Sequence, residues 1–439
     1  MQAAFPEFSE QAAPTQAILR VTNCDKVSFM DRRSLIKHLA ATAILPKTLQ
    51  SPASIPLPPR AEGELDLHHI DTGRGTCTLI VAPDGTTLMV DAGAAIVSTP
   101  TLEQTTCQAH PNDSRRPGEW QARYALRHSG QTQLDYFLAT HIHQDHIGDL
   151  SAANPRANSG GYQLTGVSDV HELMPIAMHL DRGYPDYTSV APPNAPFAKN
   201  YLAYLQHRMA SKLPVAKVAV GSTQQIKLVH RPQRYRDFSV RILSATGTIW
   251  SGVGEQTHSL FPEHLSDNPP GENRCSVALR LTYGRFSYFT GGDLTADTQD
   301  GRLPWQDVES PIAKIAGRTE VATADHHGYF DACGPEFVRN LDAQAYLIQA
   351  WDIGHPAPAQ LQRMLGAWGK TATRDVFATD MLPATELINR RFTGEMKSRH
   401  GHIVVRVAAG GATYRIHILD STIEDGPVLA SVGPYTCRD

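Results

Sequence analysis

Four side chains of metal-binding type lie within six residues, in the sequence His141-Ile142-His143-Gln144-Asp145-His146. The segment directly before them, residues 134–140, is apolar and predicts a buried strand. Because side chains alternate along a strand, His141 and His143 point the same way where the strand ends, and the following turn brings Asp145 and His146 to a second position. Imidazole and carboxylate ligands suit Zn²⁺, Mn²⁺ or Fe. The chain is therefore expected to place a metal centre at a sheet end, the alternative being a loop with chance histidines.

The composition favours a metal enzyme over a disulfide-stabilised scaffold. The 439 residues include 20 histidines but only 6 cysteines, whereas small disulfide-rich domains are dense in cysteine. Apolar residues make up 41% of the chain, which allows a large core, and no apolar run reaches the roughly 18 residues of a membrane span. The net charge of −4 shows no basic excess, so nucleic acid is not the favoured partner.

The first 62 residues have the composition of a targeting segment and linker. Arg32 and Arg33 precede a short apolar stretch, 39–46, and then the small and Pro-rich residues 51–59. This order resembles a twin-arginine export signal and predicts an exported, periplasmic protein. An ordinary amphipathic surface helix in a cytoplasmic protein is the alternative. Removal of the segment would take Cys24 with it and leave five cysteines.

Strand and helix patterns continue from residue 63 to residue 439. Strands are predicted at 65–70, 77–82, 86–90, 134–140, 239–243, 276–282, 286–290, 321–324, 345–349, 375–378, 402–407 and 412–419, with 312–316 ambiguous. Helices are predicted before 130, from 335 and at 357–368. Residues 150–235 are Pro-rich and aromatic, which predicts an insertion or a lid. Two β-rich halves, each with helices, predict an α/β fold of the αββα four-layer sandwich type.

Two further motifs follow the histidine cluster in order. Gly291-Gly292-Asp293 comes after the predicted strand 286–290, and Asp325-His326-His327-Gly328 comes after the predicted strand 321–324. Each motif is weak evidence alone. Behind H-x-H-x-D-H, this order resembles the signature of metallo-β-lactamase-fold hydrolases, whose fold is an αββα sandwich with one or two metal ions at the sheet ends.

Other segments narrow the resemblance to one branch of that superfamily. Residues 69–75 and 88–93 resemble the opening of the ComEC-type extracellular hydrolase domain, and residues 273–279 resemble the Asn-x-x-Ser strand of the same branch. The resemblance covers roughly residues 65–420, with 150–235 poorly matched. It departs at Thr76, where that branch usually has Asp after the Gly-x-Gly.

The resemblance implies two divalent ions, with zinc preferred and manganese or iron as alternatives. It assigns the ligands as follows: His141 and His143 to the first site, Asp145, His146 and His327 to the second, and Asp293 between them. Asp91 would orient a ligand histidine, or it is an ordinary turn residue before Gly93.

The first site lacks one expected ligand. Most two-metal members of the superfamily have a third histidine just before the strand at 276–282, where this chain has Glu272 and Asn273. His258 and His264 lie nearby in sequence, but the spacing requires neither. The first site is therefore expected to be weak, open or completed by another group.

The resemblance implies a metal-dependent hydrolase. Water bound to Zn²⁺ loses a proton near neutral pH, so a metal-bound hydroxide held near Asp145 would attack, and His326 would protonate the leaving group. The ComEC-like branch favours phosphoester or phosphodiester substrates, which are small anionic molecules. Lactone or amide hydrolysis and a non-catalytic metal-binding module are the alternatives. His326 as a structural histidine also stays open, and the sequence indicates no oligomeric state.

Overall fold

The computed structural model describes residues 55–158, 160–265, 269–366 and 374–439. The predicted twin-arginine segment, with Cys24, lies outside the described residues. The strands, in chain order, are β1 Leu65–His69, β2 Thr78–Val81, β3 Thr87–Val90, β4 Leu134–Leu138, β5 Ile176–Asp181, β6 Val215–Lys217, β7 Phe238–Ala245, β8 Thr248–Trp250, β9 Thr257–Ser259, β10 Ala278–Tyr283, β11 Phe286–Thr290, β12 Val321–Thr323, β13 Ala345–Ile348, β14 Asp375–Ala378, β15 His402–Val407, β16 Thr413–Leu419 and β17 Val428–Thr436.

The helices lie between these strands. They are α1 Pro100–Thr105, α2 Pro117–Ser129, α3 Gln144–Ile147, α4 Val167–Leu173, α5 Pro196–Ala210, α6 Glu309–Ala316, α7 Pro335–Leu341, α8 Pro358–Met364, α9 Pro383–Ile388 and α10 Arg390–Thr393. No helix among the described residues is long and apolar enough to cross a membrane.

Two large sheets pack face to face, with helices on the outer face of each. The first sheet has the order β17-β16-β15-β1-β2-β3-β4-β5-β6, and the second has the order β14-β13-β12-β11-β10-β7-β8-β9. One apolar cluster joins the two sheets, for example through Leu67 and Leu281. A second cluster packs α6, α7 and α8 on the second sheet, and a third packs α2, α4 and α5 on the first. This layering confirms the predicted αββα sandwich.

Part of the segment 150–235, predicted as an insertion or lid, belongs to the first sheet. Strands β5 and β6 extend that sheet in parallel beyond β4. The fully buried Arg208 on α5 helps to hold this edge, since its guanidinium donates to the carbonyls of Ile176 at 3.0 Å and Pro214 at 3.2 Å. The limits of the insertion and of the domain at 63–439 stay predictions.

Most predicted strands are present, but residues 312–316 are helical and belong to α6. That segment buries Ile312, Ala313 and Ala316, which lie three or four residues apart on one helix face. A short apolar run of this kind does not distinguish a strand from a helix. The ambiguous strand prediction at 312–316 is therefore wrong.

A hydrogen-bonded cluster links the end of β1 to distant loops. The Asp71 carboxylate accepts from His110 Nδ1 at 2.8 Å and from Ser421 Oγ at 2.6 Å. His110 Nε2 lies 3.8 Å from Asp380, whose carboxylate also contacts His400 at 2.8 Å. Burial alone would lower the pKa of His110, but the Asp71 carboxylate raises that pKa to about 9.

Replacement of His110 by glutamine is expected to destabilise the fold most near pH 6. Because the folded-state pKa is raised, the charged ring stabilises the fold below about pH 6.5, and this contribution is lost as the pH rises through 9. The charged ring contributes at most about 3 kcal/mol to the free energy of unfolding. Urea unfolding at pH 6 and at pH 10 measures it. A difference from wild type that does not shrink at pH 10 contradicts the charge argument. The exposed His264, changed to glutamine, is the control.

Candidate metal centre

The predicted ligands follow strands whose carboxyl ends meet at one edge of the two sheets. The H-x-H-x-D-H segment follows β4, which pairs in parallel with β3. Asp293 follows β11 and His327 follows β12, and these two strands are also parallel neighbours. The sheets are joined at this edge by a hydrogen bond from Val277 N to Thr140 O of 2.9 Å. Ligands from three distant segments therefore share one region.

The first group contains His141, His143 and Asp293. His141 Nε2 lies 3.1 Å from His143 Nδ1 and 3.7 Å from Asp293 Oδ2. His141 is fully buried, whereas His143 is partly exposed. The first group is thus open to solvent on the His143 side.

The second group contains Asp145, His146, Asp293 and His327. Asp293 Oδ2 lies 3.1 Å from His146 Nε2 and 3.6 Å from His327 Nε2. His327 Nε2 also lies 3.2 Å from Asp145 Oδ2. Asp293 belongs to both groups, as a bridging carboxylate requires.

The donor set fits divalent cations. Nitrogen and oxygen ligands at about 2.1 Å from a tetrahedral Zn²⁺ ion lie about 3.4 Å from one another, which is close to the separations in both groups. His146 Nε2 is buried without a hydrogen-bond partner, and a buried polar atom of this kind needs an explanation. A cation that binds this nitrogen and the neighbouring carboxylates supplies one.

Hydrogen bonds hold three of the imidazoles in a fixed orientation. His146 Nδ1 lies 2.8 Å from Asp91 Oδ2, and His327 Nδ1 lies 2.9 Å from the carbonyl of Gln349. His141 Nδ1 lies 3.1 Å from Thr140 Oγ1. When Nδ1 donates to such an acceptor, Nε2 is left as the ligand atom. Asp91 is buried and contacts His146, so it has the orienting position that the sequence indicated.

Replacement of Asp91 by asparagine is expected to weaken metal binding by about 10–100-fold, the usual effect of losing a partner that orients a ligand histidine. The amide keeps the size of the side chain but removes the negative charge beside His146. Titration of the metal-free protein with Zn²⁺ measures the change. An unchanged affinity for Zn²⁺ would show that Asp91 does not orient His146 and is only a residue of the turn before Gly93. Asp84, which caps the hairpin between β2 and β3, is the matched Asp→Asn control.

The electrostatics of the centre favour a cation. Burial raises the pKa of Asp293, but the imidazoles of His146, His327 and His141 outweigh it and hold that pKa well below its usual value. Burial, followed by the charge of His146, lowers the pKa of His141. The carboxylate of Asp293 raises the pKa of His327 to about 9 against the effect of burial. Protons and metal ions therefore compete for the second group, so that metal affinity falls as the pH falls.

Close backbone packing fixes the loop that carries Asp145. The Asp145 carbonyl accepts a hydrogen bond from Thr76 N at 2.8 Å. A Cβ atom at Gly93 would lie 1.9 Å from this carbonyl oxygen, and one at Gly75 would lie 2.5 Å from it. Only glycine allows this approach. Thr76, where the ComEC-like pattern has Asp, therefore supports the metal loop through its backbone.

His326 lies beside the centre without belonging to either donor group. Its Nδ1 is 2.6 Å from Asp331 Oδ1, and its Nε2 is 3.1 Å from Asn273 Nδ2 and 3.9 Å from Asp293 Oδ2. The amide oxygen of Asn273 is buried and has no partner. His326 is thus oriented by Asp331 and faces the Asp293 carboxylate.

The chain turns sharply at the two histidines. His326, His327 and Gly328 have φ values of +44°, +56° and +73°, in the left-handed region that non-glycine residues seldom adopt. The turn directs His326 to Asp331 and His327 to Gln349. The two adjacent imidazoles therefore have different places: His327 lies in the second donor group, and His326 lies beside the centre against Asp331.

Several other candidates from the sequence lie elsewhere. His258 is in the exposed edge strand β9, and neither it nor His264 belongs to a metal-binding group among the described residues. His400 contacts Asp380, and His402 accepts from Asp71 N. The cysteines of the described residues are buried and free of disulfides.

Sequence reasoning missed two residues that follow β13. The carbonyl of Gln349 orients His327, and the ring of Trp351 packs edge-on against His327 with centroids 6.0 Å apart. Both follow an apolar strand at the same sheet edge as the ligands. Their position at the end of the predicted strand 345–349 and directly after it was the signal in the sequence.

A comparison with known protein families agrees with this fold. Residues 70–153 match the family model described as the metallo-beta-lactamase superfamily. These residues include Asp91 and the whole H-x-H-x-D-H segment, which the structure places in the centre. This part of the chain is therefore similar to the metallo-β-lactamase superfamily.

The similarity extends to a ComEC-like relative. The chain is 24% identical to ComE operon protein 3 of Bacillus subtilis over 294 residues, which are 66% of this chain and 28% of that protein. The chain thus spans less than a third of the length of this relative. The match agrees with the ComEC-like resemblance of the sequence.

Two solved structures are also similar to the chain, with low TM-scores. The metallo-β-lactamase fold protein YhfI from Bacillus subtilis is 11% identical, covering 79% of this chain and 100% of its own, with a TM-score of 0.33. Zn²⁺-bound PqqB from Methylobacterium extorquens is 12% identical, covering 60% and 72%, with a TM-score of 0.27.

Proposed function

We propose that this protein is a dinuclear metal-dependent phosphodiesterase. The observation that supports the proposal most is the pair of donor groups that share Asp293, one opening to solvent beside His143. In the proposed centre His141 and His143 bind the first ion, and Asp145, His146 and His327 bind the second. Zinc is the preferred ion, because imidazole and carboxylate donors suit it, and manganese or iron are alternatives.

The protein residues have two tasks besides binding the ions. When bound, a divalent ion lowers the pKa of a coordinated water and offsets the charge of an anionic substrate. Asp145, on the loop held by Thr76, Gly75 and Gly93, would orient the attacking water through its carboxylate. The buried walls at His141 and His146 exclude bulk water from the inner side.

His326 is the proposed proton donor to the leaving oxygen. Asp331 accepts from Nδ1 and fixes the ring, so that Nε2 is the atom that delivers the proton. The Asn273 amide contacts Nε2 at 3.1 Å, and rotation of this amide by 180° would turn its unpartnered oxygen towards a protonated Nε2. His326 is partly exposed and can exchange protons with solvent.

A phosphodiester is the proposed substrate class because it is anionic and small. Two divalent ions flank the attacking and leaving oxygens in the two-metal hydrolysis of phosphate esters. The ComEC-like similarity supports the same choice. Lactone or amide hydrolysis is the second candidate, since the superfamily fold supports acyl transfer as well.

A substrate screen tests the proposal. The purified protein is stripped with a chelator, reloaded with Zn²⁺ or Mn²⁺, and assayed with bis-(p-nitrophenyl) phosphate, a lactone and nitrocefin. Turnover of the phosphodiester that disappears on chelation and returns with metal is expected. Preference for the lactone or nitrocefin would favour the acyl candidate. Turnover of none of them by a fully loaded protein would favour a non-catalytic metal-binding module.

We also propose that the chain is exported. The support is the paired Arg32 and Arg33 with the short apolar stretch behind them. Cell fractionation of the full chain and of an Arg32→Lys, Arg33→Lys variant tests this. Cleaved protein in the periplasm for the wild type, and intact protein in the cytoplasm for the variant, is expected. Intact wild-type protein in the cytoplasm would contradict export.

A further inference from the structure

Glu272 occupies the place where the first site lacks its third histidine, but the structure gives it another task. Its Oε1 accepts from Ile142 N at 2.8 Å and from Arg182 Nε at 2.6 Å. Its Oε2 accepts from an Arg182 terminal nitrogen at 2.7 Å. Both carboxylate oxygens are therefore engaged by the protein itself, and Glu272 is not placed as a metal ligand.

The ion pair of Arg182 and Glu272 is buried. The side chains are 0% and 5% exposed, and the guanidinium meets the carboxylate through two parallel hydrogen bonds, the strongest geometry for this pair. Arg182 also donates to the carbonyl of Val190 at 3.2 Å and lies over the ring of Tyr187 at 5.1 Å. The pair thus joins the segment after β5 to the short 3-10 helix Glu272–Cys275, which precedes β10.

Ile142 is the residue between the two predicted ligands of the first ion. The hydrogen bond from its amide to Glu272 fixes the backbone from which His141 and His143 project. These two rings contact each other at 3.1 Å, so a small shift of this backbone changes the spacing of both donor atoms. In the second group, by contrast, the rings are held by Asp91 and Gln349.

We propose that Arg182 and Glu272 are positioning residues for the first metal ion, holding His141 and His143 in place where related sites have a third imidazole. The inference rests on the dinuclear centre proposed above. It makes the affinity of the first site depend on a residue after β5, in the segment predicted as an insertion. Residues that orient metal ligands typically change affinity by about 10–100-fold when they are lost.

The test separates folding from positioning with a double variant. Arg182→Met with Glu272→Met removes both charges, and replacing a buried ion pair by apolar residues is often neutral for stability. It also removes the acceptor of Ile142 N. Zn²⁺ titration of the metal-free protein is expected to show the first-site affinity reduced 10–100-fold and the second-site affinity unchanged. The His143→Ala and Asp145→Ala variants identify which binding event belongs to which site.

Controls make each outcome decisive. The pair of Asp66 and Arg406 is also bidentate, with distances of 2.9 and 2.7 Å, and its side chains are 1% and 11% exposed. Its Asp66→Met, Arg406→Met double variant should bind both ions normally. A folded Arg182, Glu272 double variant with wild-type affinity at both sites overturns the inference, as does a wild type that binds one ion. If the double variant does not fold, the Arg182→Lys variant replaces it, and the Zn²⁺ affinities of the two sites are compared with wild type in the same way.

The inference and the proposed function can fail separately. Selective loss of the first ion in the variant supports the inference even if the wild type hydrolyses no phosphodiester, which would refute only the proposed function. Equal weakening of both sites would show a general structural role and overturn the inference.

Discussion

Replacement of Asp293 by alanine is expected to abolish hydrolysis, with kcat/KM lowered by at least about 10³-fold, or about 4 kcal/mol. Asp293 belongs to both donor groups, with its Oδ2 3.1 Å from His146 Nε2 and 3.7 Å from His141 Nε2. In the proposed dinuclear centre, its loss would remove a ligand from each ion at once. His143→Ala, which affects only the first group, is also expected to abolish turnover.

The Asp293 experiment needs a measurement of metal content beside the assay. Metal analysis of the purified variant should show fewer bound ions than wild type, while circular dichroism stays unchanged. Asp237, which is exposed, provides the matched Asp→Ala control and should keep full activity. Turnover near the wild-type rate by either Asp293→Ala or His143→Ala would refute the assigned centre.

Replacement of Arg208 by alanine is expected to lower the free energy of unfolding by about 3–5 kcal/mol. The guanidinium is fully buried and donates to the carbonyls of Ile176 and Pro214, with a further contact to His171 Nδ1 at 3.2 Å. Alanine leaves these acceptors unpartnered and creates a cavity between α4, α5 and the edge of the first sheet. The unpartnered acceptors and the cavity each lower the free energy of unfolding, because the site is buried.

Urea unfolding of the two proteins at one pH measures the Arg208 effect. Arg234, which is exposed and pairs with Glu62, provides the Arg→Ala control, for which a loss below about 1 kcal/mol is expected. A loss of similar size in both variants would contradict the role given to burial. Lysine at 208 should recover only part of the stability, because it lacks the planar donors that reach both carbonyls.

The parts of the structure that depend on local patterns could be predicted from the sequence. Strands β11 and β14 have the predicted limits, because short apolar runs there are bounded by turn residues. Strand β17 was missed, since most of it is exposed at a sheet edge and it contains Gly433 and Pro434. Strand β17 is stabilised by its pairing with β16, and this pairing cannot be predicted from the pattern of apolar and polar residues in the strand itself.

The candidate metal-binding groups were predictable for a similar reason. Their residue types follow directly after strands, so order along the chain indicated the shared edge. The pair of Arg182 and Glu272 was not predictable, because the two residues lie 90 positions apart and either charge alone is typical of an exposed loop. Only the packing of the two sheets brings them together and buries them.

The left-handed backbone at His326 and His327 limits how this segment can change in evolution. At φ values of +44° and +56°, β-branched residues are strongly disfavoured whatever their chemistry. Valine, isoleucine or threonine at either position would strain the main chain, and this cost is independent of any effect on catalysis. Asparagine tolerates this conformation best after glycine, so natural variation at position 326 should be narrow and biased towards asparagine.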